Sequence, residues 1–336
     1  MSATVAMLPM TLAAERRRNM LQSAMGVTIV AALGDPLVTE VMVNPDGALR
    51  LDRLGEGCTD TGIRLDPAEV ERIIRLVATH VHAEVHSERP IVSAELPCHG
   101  ESAGERFEGV LPPISTAPCF SIRKPAGRVY RLADYVKDGI VTSQVAGLLE
   151  LAVVDRLNIL IAGGTSSGKT TLANALLAEM AHLDERVILI EDARELQSPA
   201  PDTVALRTRP GVVSMADLVR STLRLRPDRI IVGEVRGPEV LDMLKAWNTG
   251  HPGGIATVHA NGATRALERL EQLAQEAIPV VPRSLIASAI DIVVFIAGRG
   301  LHRRIETLAR VRGVDPDGGY ALTSLLNPSD LKGELA

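Results

Sequence analysis

Aromatic side chains are nearly absent. Phe, Tyr and Trp make up 2% of the 336 residues. The core must therefore be built from Leu, Ile, Val and Ala. Binding of single-stranded nucleic acid by stacking bases on exposed rings is disfavoured for the same reason. Cysteine is as scarce: Cys58, Cys98 and Cys119 are widely spaced and form no Cys-x-x-Cys pair. That argues against a disulfide scaffold or a zinc ribbon and fits a reducing compartment. No apolar run approaches the roughly 20 residues of a membrane-spanning helix. A mildly apolar stretch near the N-terminus is broken by Pro9, and its basic cluster Arg16-Arg17-Arg18 follows it, the reverse of a secretory signal. A net charge of −5 supplies no overall attraction to DNA. The expectation is a cytoplasmic protein, open to peripheral contact with a membrane surface, with no direct sequence-specific nucleic-acid binding.

What is present is an ordinary globular balance, 46% hydrophobic and 23% charged, in a chain long enough for two domains. Residues 1–127 read as an α+β domain. Helices are expected over Thr11–Leu33 and Pro67–His86. Val38–Val43 and Ala48–Arg53 form a hairpin about Asn44-Pro45-Asp46-Gly47. Glu105–Leu111 and Phe120–Lys124 read as strands around Pro112-Pro113. Residues 128–142 read as a linker. Residues 143–336 read as an α/β domain, with strands at Asn158–Ala162, Val187–Ile190, Val204–Arg207, Arg229–Val232 and Ile255–Val258. Helices are expected at Thr170–Met180, at Ala216–Leu225 behind the capping box Ser214-x-x-Asp217, and at Glu239–Asn248. Strands that are apolar throughout imply a mostly parallel sheet covered on both faces, with ligands at the strands' carboxyl ends.

One stretch carries the clearest chemistry. Gly163-Gly164-Thr165-Ser166-Ser167-Gly168-Lys169-Thr170 fits the phosphate-loop pattern G-x-x-x-x-G-K-[ST] at every fixed position, between an apolar strand and a helix. Backbone N–H groups and the positive helix end converge there on an anion. Lys169 adds a charge at the β- and γ-phosphates, Thr170 can ligate Mg²⁺, and Thr171 extends the nucleotide contact. The glycines do not fall at G-x-G-x-x-G, so this is no dinucleotide fingerprint.

Three polar clusters follow further strands. Val187–Ile190 ends in Glu191-Asp192, Ile230–Val232 in Gly233-Glu234 with Arg236 beyond, and Ile255–Val258 in His259. Hydrolysis of a γ-phosphate needs an aligned water and charge compensation. Glu234 suits the first task. Glu191 and Asp192 can hold Mg²⁺ through its water shell. His259 can donate a hydrogen bond that reports the γ-phosphate. An acid is displaced here: Gly233 stands where a nucleotide-binding strand ordinarily ends in Asp.

At these residues the sequence resembles the secretion ATPases of type II secretion, type IV secretion and type IV pili, nearest their conjugative-transfer members. The resemblance rests on the phosphate loop, on the box Ile190-Glu191-Asp192-Ala193-Arg194-Glu195-Leu196, on Leu223–Arg236 and on Thr249–Asn261. It is strongest over residues 148–296, with Ser121–Pro125 also similar. It implies a RecA-like P-loop ATPase domain behind a smaller N-terminal α+β domain, and ATP and Mg²⁺ as ligands. It further implies a homohexameric ring working with inner-membrane secretion components at the inner face of that membrane. Arginines of the first domain would approach the γ-phosphate. Arg123 fits that position, with Arg106, Arg207 and Arg209 as further candidates. The zinc-binding cysteine pairs of some type II relatives are missing. A pilus motor of the same fold, a DNA translocase and a nucleotide-gated scaffold are the alternatives. His80, His82 and His86 read as a solvated helix face rather than a metal site, Arg16–Arg18 as a solvated helix end, and Ile290–Ala297 as a core strand.

Overall fold

The computed structural model describes residues 12–97, 104–125, 129–209 and 211–326. Pro9 and Cys98 lie outside them. The chain forms two compact units, residues 1–127 and 128–336.

The first unit runs α1 (Leu12–Gly34), β1 (Val38–Val43), β2 (Ala48–Arg53), β3 (Gly57–Arg64), α2 (Pro67–His80), β4 (Ile91–Glu95), β5 (Arg106–Val110) and β6 (Cys119–Arg123). Its six strands form one antiparallel sheet in the order β3-β2-β1-β6-β5-β4. Leu21, Met25 and Ile29 of α1 and Val70, Ile73, Ile74 and Val77 of α2 share one core with Val41, Phe107 and Ile122 of the sheet. Asp66 caps α2 with a full capping box to Glu69, and Pro67 opens the helix. The helix stops at His80 rather than running to His86. His82 adopts a left-handed conformation (φ 55°) and Val85 turns back into the core. The three histidines therefore do not share one helix.

The second unit runs α3 (Leu132–Lys137), α4 (Ser143–Val154), β7 (Ile159–Ala162), α5 (Lys169–Ala178), β8 (Arg186–Glu191), β9 (Asp202–Arg207), α6 (Met215–Thr222), β10 (Arg229–Val235), α7 (Glu239–Asn248), β11 (Ile255–Val258), α8 (Ala263–Gln275), α9 (Arg283–Ala289), β12 (Ile292–Ala297), β13 (Arg304–Val314) and β14 (Tyr320–Ser324). Its sheet order is β14-β13-β12-β7-β11-β10-β8-β9. The strands from β12 to β9 are parallel; β13 and β14 add an antiparallel margin. Alternate strand residues feed two cores. Leu160, Ile188, Ile230 and Ala256 pack with α6–α9, while Ile159, Ile161, Val187, Ile231 and Val294 pack with α3–α5. This is a sheet covered on both faces. Residues 128–142 are not a free linker: Leu132 and Tyr135 of α3 are fully buried in the second core. Helix α6 ends at Thr222, short of the expected Leu225, ahead of a left-handed Arg226 (φ 54°) that precedes Pro227.

At the amino-terminal edge of this sheet the strands are cross-tied. The Asn158 side chain accepts from Gly253 N and Gly254 N, both at 2.9 Å, and donates to the Ala289 carbonyl at 2.8 Å. Asn158 N donates to Asp291 Oδ2 (2.9 Å). Arg229, 1% exposed, pairs with Glu185, and Asp228 bonds Arg186 through both N–H groups.

Candidate nucleotide-binding site

β7, β11, β10 and β8 lie side by side. The phosphate loop, His259, Glu234 and Glu191 therefore emerge together at the strands' carboxyl ends, where sheets of this kind bind ligands.

The loop connects β7 directly to α5. Gly168 stands at the helix N-cap in a left-handed conformation (φ 99°) and offers no side-chain cap. The first amides of α5 are thus left without a side-chain acceptor from that position, the arrangement that receives an anion. A Cβ on Gly168 would lie 2.8 Å from the Arg303 guanidinium, which can move aside, so it is the left-handed backbone that demands glycine. Lys169 is buried. Its Nζ donates to the carbonyls of Gly163 (3.1 Å) and Gly164 (3.2 Å), and both ring nitrogens of His259 lie 3.3 Å away. Thr165 and Ser166 are exposed, Ser167 is buried, and Thr170 and Thr171 are half-buried on the first turn. Thr170 Oγ1 donates to Glu195 Oε2 at 3.2 Å.

Glu191 ends β8 and is 3% exposed. Its Oε1 accepts from Glu195 N (2.9 Å) and Leu196 N (2.7 Å). Burial pushes its carboxyl up to about 7, against the pull of those two N–H groups. The neighbouring strand explains the displaced acid. A Cβ at Gly233 would lie 3.1 Å from Glu191 Cγ, so the residue facing Glu191 must be small and the acid follows at 234. The β10–β11 pairing slips between Val232 and Val235, and Thr257 Oγ1 donates to the Gly233 carbonyl at 2.7 Å. Such an irregularity re-aims the side chain beside it, here Glu234.

Glu234 Oε1 lies 2.8 Å from His259 Nε2, and Oε2 accepts from Arg236 Nε (3.0 Å) and Nη2 (2.5 Å). Partial burial, then the Lys169 charge, hold His259 below its ordinary pKa, with Glu234 opposing them. Arg236 also reaches Asp192 (3.7 Å). Lys169, His259, Glu234, Arg236 and Asp192 thus form one continuous polar row.

Some expected residues stand elsewhere. Asp192 is exposed and accepts from Thr208 Oγ1 (2.9 Å); the acid at the Thr170 hydroxyl is Glu195. The turn after Glu191, pinned by its two N–H bonds, swings Glu195 back to α5. There Asn174 Nδ2 donates to the Glu195 carbonyl (2.9 Å) and Asn174 Oδ1 accepts from Gln197 N (2.9 Å). Glu195 stood in the sequence only inside the box that carries the resemblance, without a role of its own, and Asn174 and Arg303 had none. The spacing Glu191-x-x-x-Glu195 was the available signal for the first; Arg303 had none. Arg207 and Arg209 are exposed at the end of β9, which β11, β10 and β8 separate from β7. In the first unit Arg106 and Arg123 are direct cross-strand partners, in a row with Glu95 and Glu40 on the face away from the helices. Each arginine thus has a glutamate as its other cross-strand neighbour, Glu95 beside Arg106 and Glu40 beside Arg123.

The residue set fits a nucleoside triphosphate with a divalent cation. A glycine loop leads into a helix start, a buried lysine stands behind it, and a hydroxyl faces a carboxylate. Among the described residues no helix is long and apolar enough to cross a membrane.

Residues 26–315 match the profile of the family described as Type II/IV secretion system protein. Conjugal transfer protein TrbB of Rhizobium radiobacter is 47% identical over 295 residues, covering 87% of this chain and 90% of that protein. The type IV secretion system protein PtlH homolog of Bordetella bronchiseptica is 36% identical over 308 residues, covering 80% of this chain and 88% of that protein. Among solved structures, the pilus retraction motor PilT with bound ADP aligns with a TM-score of 0.60 at 18% identity, over 88% of this chain and 80% of that one, a likeness of fold. The motif blocks, the doubly covered sheet with its phosphate loop and these matches agree: the chain belongs to the type II/IV secretion system protein family.

Proposed function

We propose that the protein hydrolyses ATP to ADP and phosphate and, as a homohexameric ring at the inner face of the bacterial inner membrane, powers a conjugative or type IV secretion machine. The observation that carries the enzymatic part is the polar row from Lys169 to Arg236 at the end of the phosphate loop. Lys169 and the first amides of α5 bind the phosphates and offset their charge. Glu234 orients the attacking water and accepts its proton. His259, favoured in its neutral form beside Lys169, links that carboxylate to the phosphate lysine, with Nε2–H toward Glu234 and Nδ1 accepting from Lys169. Mg²⁺ when bound supplies charge compensation for the phosphates, with Thr170, Glu191 and Glu195 as the residues to hold it. Arg106 and Arg123 are assigned further compensation of phosphate charge. The secretion context comes from the relatives' names, conjugal transfer and type IV secretion.

ATP turnover measured alongside light-scattering mass tests enzyme and ring together. Lys169→Ala should abolish productive nucleotide binding. Glu234→Gln should still bind ATP and lose turnover by about 10²- to 10⁴-fold, the range of a lost general base. Undiminished turnover in Lys169→Ala overturns the assignment.

A further inference from the structure

We propose that Arg236 is a positioning residue for Glu234, and that buried Glu239 fixes the turn from which it acts. The proposal rests on Glu234 orienting the attacking water.

Both Arg236 donors, Nε and Nη2, converge on one oxygen of Glu234, Oε2. The other oxygen is left facing His259. Two residues along an extended segment point to the same side, so the pairing follows from the strand itself. Held by one oxygen, the carboxylate presents a single aimed acceptor. Nη1 of the same guanidinium reaches Asp192, which ties the Glu234 strand to the Glu191 turn.

The backbone beneath Arg236 is fixed with unusual care. Arg236 N and Gly237 N donate to one oxygen of Glu239, at 2.7 and 2.9 Å. Glu239 opens α7 and is 7% exposed, and among the described residues no ion pair to a cation is formed by it. A buried carboxylate without a counter-charge is costly unless hydrogen-bonded. The two N–H groups and the positive end of α7 offset that cost. A Cβ at Gly237 would lie 3.0 Å from Glu239 Oε2, a tight contact that would press on this carboxylate. A mostly exposed arginine pair adds little stability. What the arrangement changes is the direction of the Glu234 carboxylate.

Single-turnover hydrolysis by the full chain at saturating Mg-ATP, with affinity read by a fluorescent ATP analogue, tests this. Arg236→Gln should lower the rate about 10- to 100-fold, the cost of a misaimed group, with affinity within about twofold of wild type. Arg236→Lys should recover part of the rate. The double variant Glu234→Gln/Arg236→Gln should turn over at the rate of Glu234→Gln alone, because Arg236 acts only through that carboxylate. Glu239→Ala should reproduce the Arg236→Gln loss, and Glu239→Gln, which retains an acceptor oxygen, should restore most of it. Multiplicative loss in the double variant, a parallel loss of affinity, or a wild-type rate in Arg236→Gln overturns the proposal. Wild-type turnover in Glu234→Gln would instead overturn the reading of Glu234 itself.

Discussion

Replacing Glu191 with Gln should stabilise the protein, and only above acidic pH. The carboxyl lies 3% exposed at the end of β8, and burial raises it from an ordinary 4.5 to about 7. The folded protein therefore holds this proton more tightly than the unfolded chain does. The associated stability is fully present below about pH 4.5 and is lost as pH rises through about 7. A gap of about 2.5 pH units at about 1.4 kcal/mol each makes the full penalty about 3 kcal/mol. Gln retains an oxygen for the Glu195 and Leu196 N–H groups and cannot ionise, so its stability stays flat where that of the wild type falls. The two proteins should be alike near pH 4.5 and differ by about 3 kcal/mol at pH 8. The single tryptophan makes the assay direct. Trp247 is buried in the same unit and donates to the Ile230 carbonyl, so its fluorescence in urea titrations follows the unfolding of that unit. Urea midpoints at pH 5, 6, 7 and 8 give the curve. A Gln variant less stable than wild type at pH 8, or a difference that does not change with pH, would refute the reasoning. The stabilised variant should also hydrolyse ATP more slowly, since a carboxylate kept at this energetic cost serves the site.

Other substitutions separate site from frame. Gly168→Ala combines a left-handed backbone with a contact against Arg303, and should lower ADP affinity at least about 10-fold, measured by calorimetric titration, while the fold survives. Asn158→Ala leaves two N–H groups and one carbonyl without partners and should cost about 2–4 kcal/mol, read from the Trp247 urea transition. Lys169→Ala should show no productive nucleotide binding at an unchanged urea midpoint.

Much of this was written locally. The phosphate loop, the hairpin at Asn44–Gly47 and helix α7 each have their signal inside a short window, because glycine spacing, turn residues and helix boundaries act within it. The apolar runs of β7, β8, β10 and β11 identified a doubly covered sheet for the same reason. What escaped was set by distant contacts. Residues 128–142 carry polar and glycine residues that suggest a linker, yet Leu132 and Tyr135 are anchored by strands more than twenty positions away. Helix α2 loses its last turn to the left-handed His82. Strands β13 and β14 alternate too weakly to stand out, and they form as a pair against β12. At the site, Glu191, Glu234 and His259 were legible as acids or a histidine ending apolar strands. Glu195 was not, because only the fold of the Glu191 turn brings it to Thr170.

The amino-terminal edge of the sheet gives the carboxyl-terminal edge its freedom. Asn158, Arg229, Glu185 and Asp228 rivet the starts of β12, β7, β11, β10 and β8 into one plate. The ties stand at one edge and the phosphate loop, Glu234 and His259 at the other, so side chains of the binding edge can be exchanged without touching the groups that hold the strand starts together.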